Sequence, residues 1–232
     1  MIPPGVTIHE PAARRSSPWA QSLDGRRIDL LTPTPGAVDF FEIARTLGQI
    51  IRFAGCAQHP VVVAQHTLIA LEAARRGREP PQVQALVALH DAHEGYGLGD
   101  ITTPVAQALD EMLVRLYGPT RRGELKHALA EIKSGLDLAI HAAAGLNLPT
   151  PDQHRAIRHY DLVALATERR DFLARKPCNW DAEVEAAAPL PRTQKLLAPA
   201  EASSELWREF TRLLPALVNV GATRRGTKRG AA

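Results

Sequence analysis

The sequence predicts an all-α protein, and three observations support this class. Apolar residues recur at helical spacing over most of the chain that follows position 36. Clusters of proline and glycine divide this pattern into segments of ordinary helix length. The 232 residues suffice for one substantial core, and they contain neither an internal repeat nor a second core. We therefore expect one helical domain, over 25–220.

The order of the elements follows from the same signals. Segment 1–24 is rich in proline, arginine and serine and is expected to be irregular. Segment 25–31 is expected to form a short strand or an extended arm on the core. Helices are predicted over 37–51, 61–75, 82–96, 102–117, 122–144, 152–174 and 200–218. Prolines make 176–199 irregular, and 221–232 is a basic tail that we expect to be disordered.

The composition excludes several classes of function. The net charge is only +3 and much of the excess lies in the tail, so we expect no nucleic-acid partner. No apolar run approaches the roughly 20 residues that cross a bilayer, and the first ten residues lack a signal-peptide pattern. These features predict a cytoplasmic protein without a membrane partner. Cys56 and Cys178 lie outside any Cys-x-x-Cys pair, which excludes a cysteine-rich zinc site and leaves them as small apolar fillers.

The residues that can carry chemistry begin with His90 and Asp91, which follow the apolar helical stretch 83–89. Burying such a pair without a partner costs free energy, and a divalent cation is a suitable partner. Imidazole and carboxylate together suit first-row transition metals. The doublet therefore points to a metal site that other parts of the fold must complete.

Two further candidate ligands lie within apolar faces of predicted helices. His66 stands in the helix over 61–75, and Asp161 stands in the helix over 152–174. Each residue alone is more often a satisfied core residue than a ligand. Their occurrence together with the His-Asp doublet predicts a site that His66, His90, Asp91 and Asp161 form jointly.

A longer motif surrounds the doublet. The chain contains His90-Asp91-Ala92-His93-Glu94, then Gly99-Asp100-Ile101-Thr102-Thr103-Pro104, and Arg52-Phe53 shortly before His66. A lone histidine, a His-Asp doublet and a distal aspartate on successive helices resemble the HD-domain metal-dependent phosphohydrolase superfamily. The longer motif is similar to its bacterial 5′-deoxynucleotidase subfamily and phage relatives. The resemblance spans roughly 25–174, and it departs by one additional residue between Glu94 and Asp100.

The resemblance implies a single HD-domain helical bundle that forms a homodimer and removes the 5′-phosphate from deoxynucleoside monophosphates. It implies one divalent transition metal bound by His66, His90, Asp91 and Asp161. Two histidines and two aspartates suit Mn, Co, Zn, Fe or Ni, and the sequence does not select among them.

The remaining motif residues receive catalytic or substrate-binding roles. Glu94 is expected to act as a general acid or base or to orient the attacking water, and Asp100 to assist or hold the leaving group. Arg52 offers a planar guanidinium that suits a phosphate, and Phe53 could pack on the base or sugar. His93 could contact the substrate or lie exposed.

Several alternatives remain open at this point. The substrate could be another nucleotide, namely a deoxynucleoside triphosphate, a cyclic nucleotide or a guanosine polyphosphate. The protein could instead be a non-catalytic nucleotide-sensing module. A di-iron oxygenase would need additional histidine ligands, for which His93 is the sole candidate. The charged run 168–171 is expected to be a solvated helix face.

Overall fold

The computed structural model describes residues 17–174 and 178–218, whose main elements are eight α-helices, a short helical turn over 215–218 and one small sheet. The helices are α1 (Phe40–Leu47), α2 (Val63–Arg76), α3 (Pro81–Leu89), α4 (Thr103–Tyr117), α5 (Glu124–Ala144), α6 (Pro151–Phe172), α7 (Ala182–Ala186) and α8 (Pro199–Leu213). This arrangement confirms the all-α class. Among the described helices, none combines the length and the apolarity that crossing a lipid bilayer requires. The predicted basic tail, 221–232, lies outside the described residues.

The sheet is an antiparallel hairpin near the beginning of the described chain. Strand β1 (Trp19–Gln21) pairs with β2 (Arg27–Asp29), and Ile28 of β2 is the buried member of the pair. Strand β2 agrees with the predicted strand in 25–31. Strand β1 lies where the sequence analysis expected irregular chain, because a three-residue strand is defined by its pairing partner and carries no period of its own.

Helix α2 lies at the centre of the core. It packs against α1, α3, α6 and α8, and ten of its 14 residues are buried. A helix that is buried on nearly all sides carries few polar residues unless they have partners inside the protein. His66, which is fully buried in α2, must therefore find its partners within the core.

Helix α3 ends at Leu89, seven residues before the predicted boundary. The chain turns at the His-Asp doublet and then forms a wide π-helical turn over Glu94–Leu98. Gly97 has a φ of +97° in this turn, a conformation that glycine adopts without strain. A π-helical turn holds one more residue than the corresponding α-helical turn.

Gly95 holds the π-helical turn close to α1. A Cβ atom at this position would lie 2.8 Å from Cγ of Leu47 and 3.0 Å from the carbonyl oxygen of Ile43. We expect Gly95→Ala to lower the free energy of unfolding by about 1–3 kcal/mol, because both neighbours belong to a packed helix. Urea denaturation would measure this, with Gly36→Ala as a control, since a Cβ at Gly36 meets no atom within 4 Å. Equal stability of the two variants would contradict the close packing.

The segment that was expected to be irregular, 176–199, contains the five-residue helix α7. A single helical turn is too short to display a helical period, so the sequence pattern could not reveal it. The buried Gln65 of α2 fixes the end of this segment by donating to the Lys195 carbonyl (2.8 Å) and accepting from the Leu197 amide (3.0 Å). Cys56 and Cys178 are free and exposed, so their interpretation as apolar fillers is wrong.

Helix α8 buries its apolar face in the core of the same chain. Leu206 and Phe210 are fully buried, and the ring of Phe210 meets Phe40 of α1 edge to face at 6.0 Å. Trp207 of α8 also packs against Phe41 of α1, nearer the surface. The amphipathic pattern of this helix is thus satisfied within one chain, and homodimer formation stays a prediction.

Candidate metal centre

The four predicted ligands come from three helical elements and meet at one place. His66 projects from α2, His90 and Asp91 follow α3, and Asp161 projects from α6. Nε2 of His66 lies 3.2 Å from Nε2 of His90 and 3.2 Å from Oδ1 of Asp161. Oδ2 of Asp91 lies 3.2 Å from Nε2 of His90 and 3.7 Å from Nε2 of His66. The packing of α2 between α3 and α6 therefore brings all four residues together.

Both imidazoles are oriented by a hydrogen bond on the far side of the ring. Nδ1 of His66 donates to Oε2 of Glu168 at 2.9 Å, and Nδ1 of His90 donates to the Val87 carbonyl at 2.8 Å. These bonds direct Nε2 of each ring into the cluster, which is how histidines that bind metal ions are usually held. Within the described residues, His66, His90 and Asp161 form a group whose ligand atoms lie close enough to hold one metal ion.

The charges of the cluster depend strongly on one another. Burial and the nearby Arg52 lower the pKa of His66, but the carboxylates of Glu168 and Asp161 outweigh them and raise it to about 10. Burial raises the pKa of Asp91, but His90, His66 and Arg52 outweigh it and hold the pKa well below its usual range. Protons on the imidazoles thus offset the carboxylates, and a bound cation would take the place of those protons.

Glu168 belongs to this cluster, although the charged run 168–171 predicted a solvated face. Its side chain is fully buried, and that of Asp171 is only 3% exposed, so the interpretation of 168–171 is wrong for both carboxylates. The signal that could have identified Glu168 is its spacing, because it follows Asp161 by seven residues. Two turns of a helix bring such residues to the same face.

Arg52 lies behind the predicted ligands with its side chain 12% exposed. Its Nε lies 3.1 Å from Oε1 of Glu168 without the alignment of a hydrogen bond, and its Nη1 lies 3.9 Å from Oδ2 of Asp91. Arg52 thus lies at the cluster, where its guanidinium already faces two carboxylates.

Phe53 stands beside Arg52 in an uncommon backbone conformation. Phe53 and Ala54 have φ values of +57° and +51°, which non-glycine residues rarely adopt. The Phe53 ring lies 5.1 Å from the guanidinium of Arg52 and 6.1 Å from the Trp180 ring, tilted by 51°. Trp180, which the sequence analysis did not single out, thus forms an aromatic pair with Phe53.

His93, Glu94 and Asp100 lie near Asp91. His93 is only 5% exposed, and its Nδ1 donates to Oδ1 of Asp137 in α5 at 3.0 Å, so it is not an exposed residue. Burial, followed by the charges of Asp91 and Asp100, raises the pKa of Glu94 to about 9. Burial also raises the pKa of Asp100, whose charge interacts with that of Asp91. Asp100, which follows the π-helical turn, therefore lies near the site.

Comparison with known proteins identifies relatives but no described family. No family model matches the chain. It is 34% identical over 158 residues to an uncharacterised protein of Rhodobacter capsulatus, RCAP_rcc00048, covering 65% of this chain and 70% of that protein. It is 35% identical over 132 residues to the uncharacterised protein YfdR of Escherichia coli, covering 56% of this chain and 59% of that protein. The chain belongs to the same family as RCAP_rcc00048.

Proposed function

We propose that the protein is a metal-dependent phosphohydrolase that removes the 5′-phosphate from deoxynucleoside monophosphates. The observation that supports it most is the convergence of His66, His90, Asp91 and Asp161, with the buried carboxyl of Glu94 beside them. The choice of deoxynucleotides rests on the resemblance of the motif around His90 to the 5′-deoxynucleotidases.

The donor set fits a divalent transition metal. His66 and His90 would supply imidazole nitrogens, and Asp91 and Asp161 would supply carboxylate oxygens. When bound, the cation lowers the pKa of a water ligand and offsets negative charge on the phosphoryl oxygens. Glu168 keeps the Nε2 lone pair of His66 directed at the site by accepting from its Nδ1.

Glu94 is the residue that would handle the proton of the attacking water. Its raised pKa reflects burial and repulsion from Asp91 and Asp100. A cation beside Asp91 would offset that repulsion and favour the ionised carboxylate. In that form Glu94 can accept a proton or orient the water for attack on phosphorus. Asp100, whose charge interacts with that of Glu94, would assist at the leaving oxygen.

Arg52 and the aromatic pair would bind the substrate. The guanidinium of Arg52, which contacts Glu168 and Asp91, could also pair with a phosphate oxygen. Its planar set of N–H donors matches the oxygen atoms of a phosphate group. Phe53, held by its uncommon backbone conformation, and Trp180 would pack on the base or sugar.

Phosphate release from a panel of nucleotides tests the proposal. The protein would be stripped of metal and assayed with manganese, cobalt, zinc or magnesium, on deoxynucleoside and ribonucleoside monophosphates, triphosphates, cyclic nucleotides and guanosine polyphosphates. We expect metal-dependent release from deoxynucleoside monophosphates and weak action on ribonucleotides. Release of pyrophosphate or triphosphate would show that the substrate is a different nucleotide from the one proposed. Absence of any product while metal is bound would favour a sensing module.

Glu94→Gln is expected to lower kcat by about 10²–10⁴-fold, because the amide cannot accept the proton of the attacking water. The cation held by His66, His90, Asp91 and Asp161 should remain bound. Single-turnover phosphate release and metal analysis of the same sample would measure both. Glu131→Gln, an exposed substitution on α5, is the matched control and should behave as the parent. Unchanged turnover in Glu94→Gln would exclude Glu94 from catalysis.

A further inference from the structure

A second group of potential ligands adjoins the first. Within the described residues, Asp91, His93 and Glu94 each offer one ligand atom, and these atoms lie within 4.8 Å of one another. His93 and Glu94 are 5% and 7% exposed. Asp91 is also 3.2 Å from His90 in the first group, so the two groups share its carboxylate.

The imidazole of His93 is held as the other two are held. Its Nδ1 donates to Oδ1 of Asp137, as Nδ1 of His66 donates to Glu168. A carboxylate on Nδ1 fixes the tautomer that leaves a lone pair on Nε2 and makes that nitrogen more basic. The described part of the chain offers Nε2 of His93 no hydrogen-bond partner, although the atom is buried.

Glu94 also has a buried polar atom, Oε2, without a hydrogen-bond partner among the described residues. A buried carboxylate oxygen and a buried imidazole nitrogen that both lack partners are costly in free energy. Both atoms carry lone pairs, the Glu94 oxygen once its carboxyl is ionised, so a cation would satisfy both at once. Imidazole and carboxylate are also the donors that transition metals accept.

We propose that Asp91, His93 and Glu94 bind a second divalent cation, next to the one that His66, His90 and Asp161 hold with Asp91. The inference rests on the first cation of the proposed function, since Asp91 is shared between the two. Binding through Oε2 leaves Oε1 of Glu94 to orient the attacking water, so both roles of this residue are compatible. Two adjacent cations can stabilise the attacking and the leaving oxygen of a phosphoryl transfer.

Manganese stoichiometry tests the inference without relying on turnover. The metal-stripped full chain would be saturated with Mn²⁺, freed of excess by gel filtration and analysed for metal and by electron paramagnetic resonance. We expect two equivalents with the spectrum of an exchange-coupled pair. His93→Ala should retain one equivalent and the spectrum of an isolated ion. His154→Ala, at an exposed position of α6, is the control and should retain two.

Asp137→Asn supplies a second variant in case His93→Ala fails to fold. This substitution keeps the volume of the side chain. It should weaken the affinity for the second cation by about 10–100-fold, as measured by titration, and leave the affinity for the first cation unchanged. One equivalent in the parent protein would overturn the inference, and so would two equivalents that His93→Ala and Asp137→Asn leave unchanged. One equivalent with phosphate release would overturn the second site alone, whereas two coupled equivalents without release would support it and overturn the proposed function.

Discussion

Asp91→Ala is expected to remove all tightly bound cation and to lower metal-dependent phosphate release by roughly 1,000-fold or more. The carboxylate is the one donor that both proposed cations share, and it also faces His90 and Arg52. Losing a bound cation removes several kcal/mol of transition-state charge stabilisation, which corresponds to a factor of this size. Metal analysis and phosphate release on one preparation would measure both losses.

Asp152→Ala is the matched control for this prediction. Asp152 lies in the first turn of α6, the helix that carries Asp161, but its side chain is 84% exposed. It should keep its cation and its activity. Circular dichroism would verify that Asp91→Ala is folded before the comparison is made. A folded Asp91→Ala protein that retains one equivalent of metal would contradict the assignment of Asp91 as a ligand.

The long helices could be predicted from the sequence because local signals bound them. Helices α2, α5 and α6 agree with their predicted boundaries within two residues. Glycine ends α2 and α5, and a Thr150 cap with Pro151 begins α6. Helix α3 was predicted too long because its apolar period continues past the point where the chain turns. The π-helical turn that follows packs against α1, and a hydrophobic period does not express such a contact.

The site residues that are neighbours in the sequence could be predicted. Those that reach the site only through the packing of distant helices could not. The His90-Asp91 doublet and Glu94 are adjacent in sequence, so their joint role could be proposed without a fold. Asp137 is distant in sequence and joins the site only because α5 passes beside His93. Glu168 resembled a solvated charge because three charged residues follow it, and only the packing of α6 on α2 reveals its burial.

Glu168→Ala is expected to lower the free energy of unfolding by about 3–5 kcal/mol. Glu168 is fully buried and faces two groups that can be positively charged, Nδ1 of His66 at 2.9 Å and Nε of Arg52 at 3.1 Å. Removing the carboxylate breaks a buried ion pair and leaves these two nitrogen atoms without a partner, although Asp161 and Asp91 still face the other nitrogens of His66 and Arg52. Urea denaturation of the metal-free protein would measure the change.

Glu168→Gln separates the structural from the functional part of this role. The amide keeps the volume and its oxygen can still accept from His66, but it no longer makes the imidazole more basic or fixes Arg52. We expect a smaller loss of stability and a 10–100-fold weaker affinity for the first cation, which metal titration would measure. Glu131→Ala, exposed on α5, should change neither quantity. If Glu168→Gln bound the cation as tightly as the parent, Glu168 would stabilise the core without influencing the metal site.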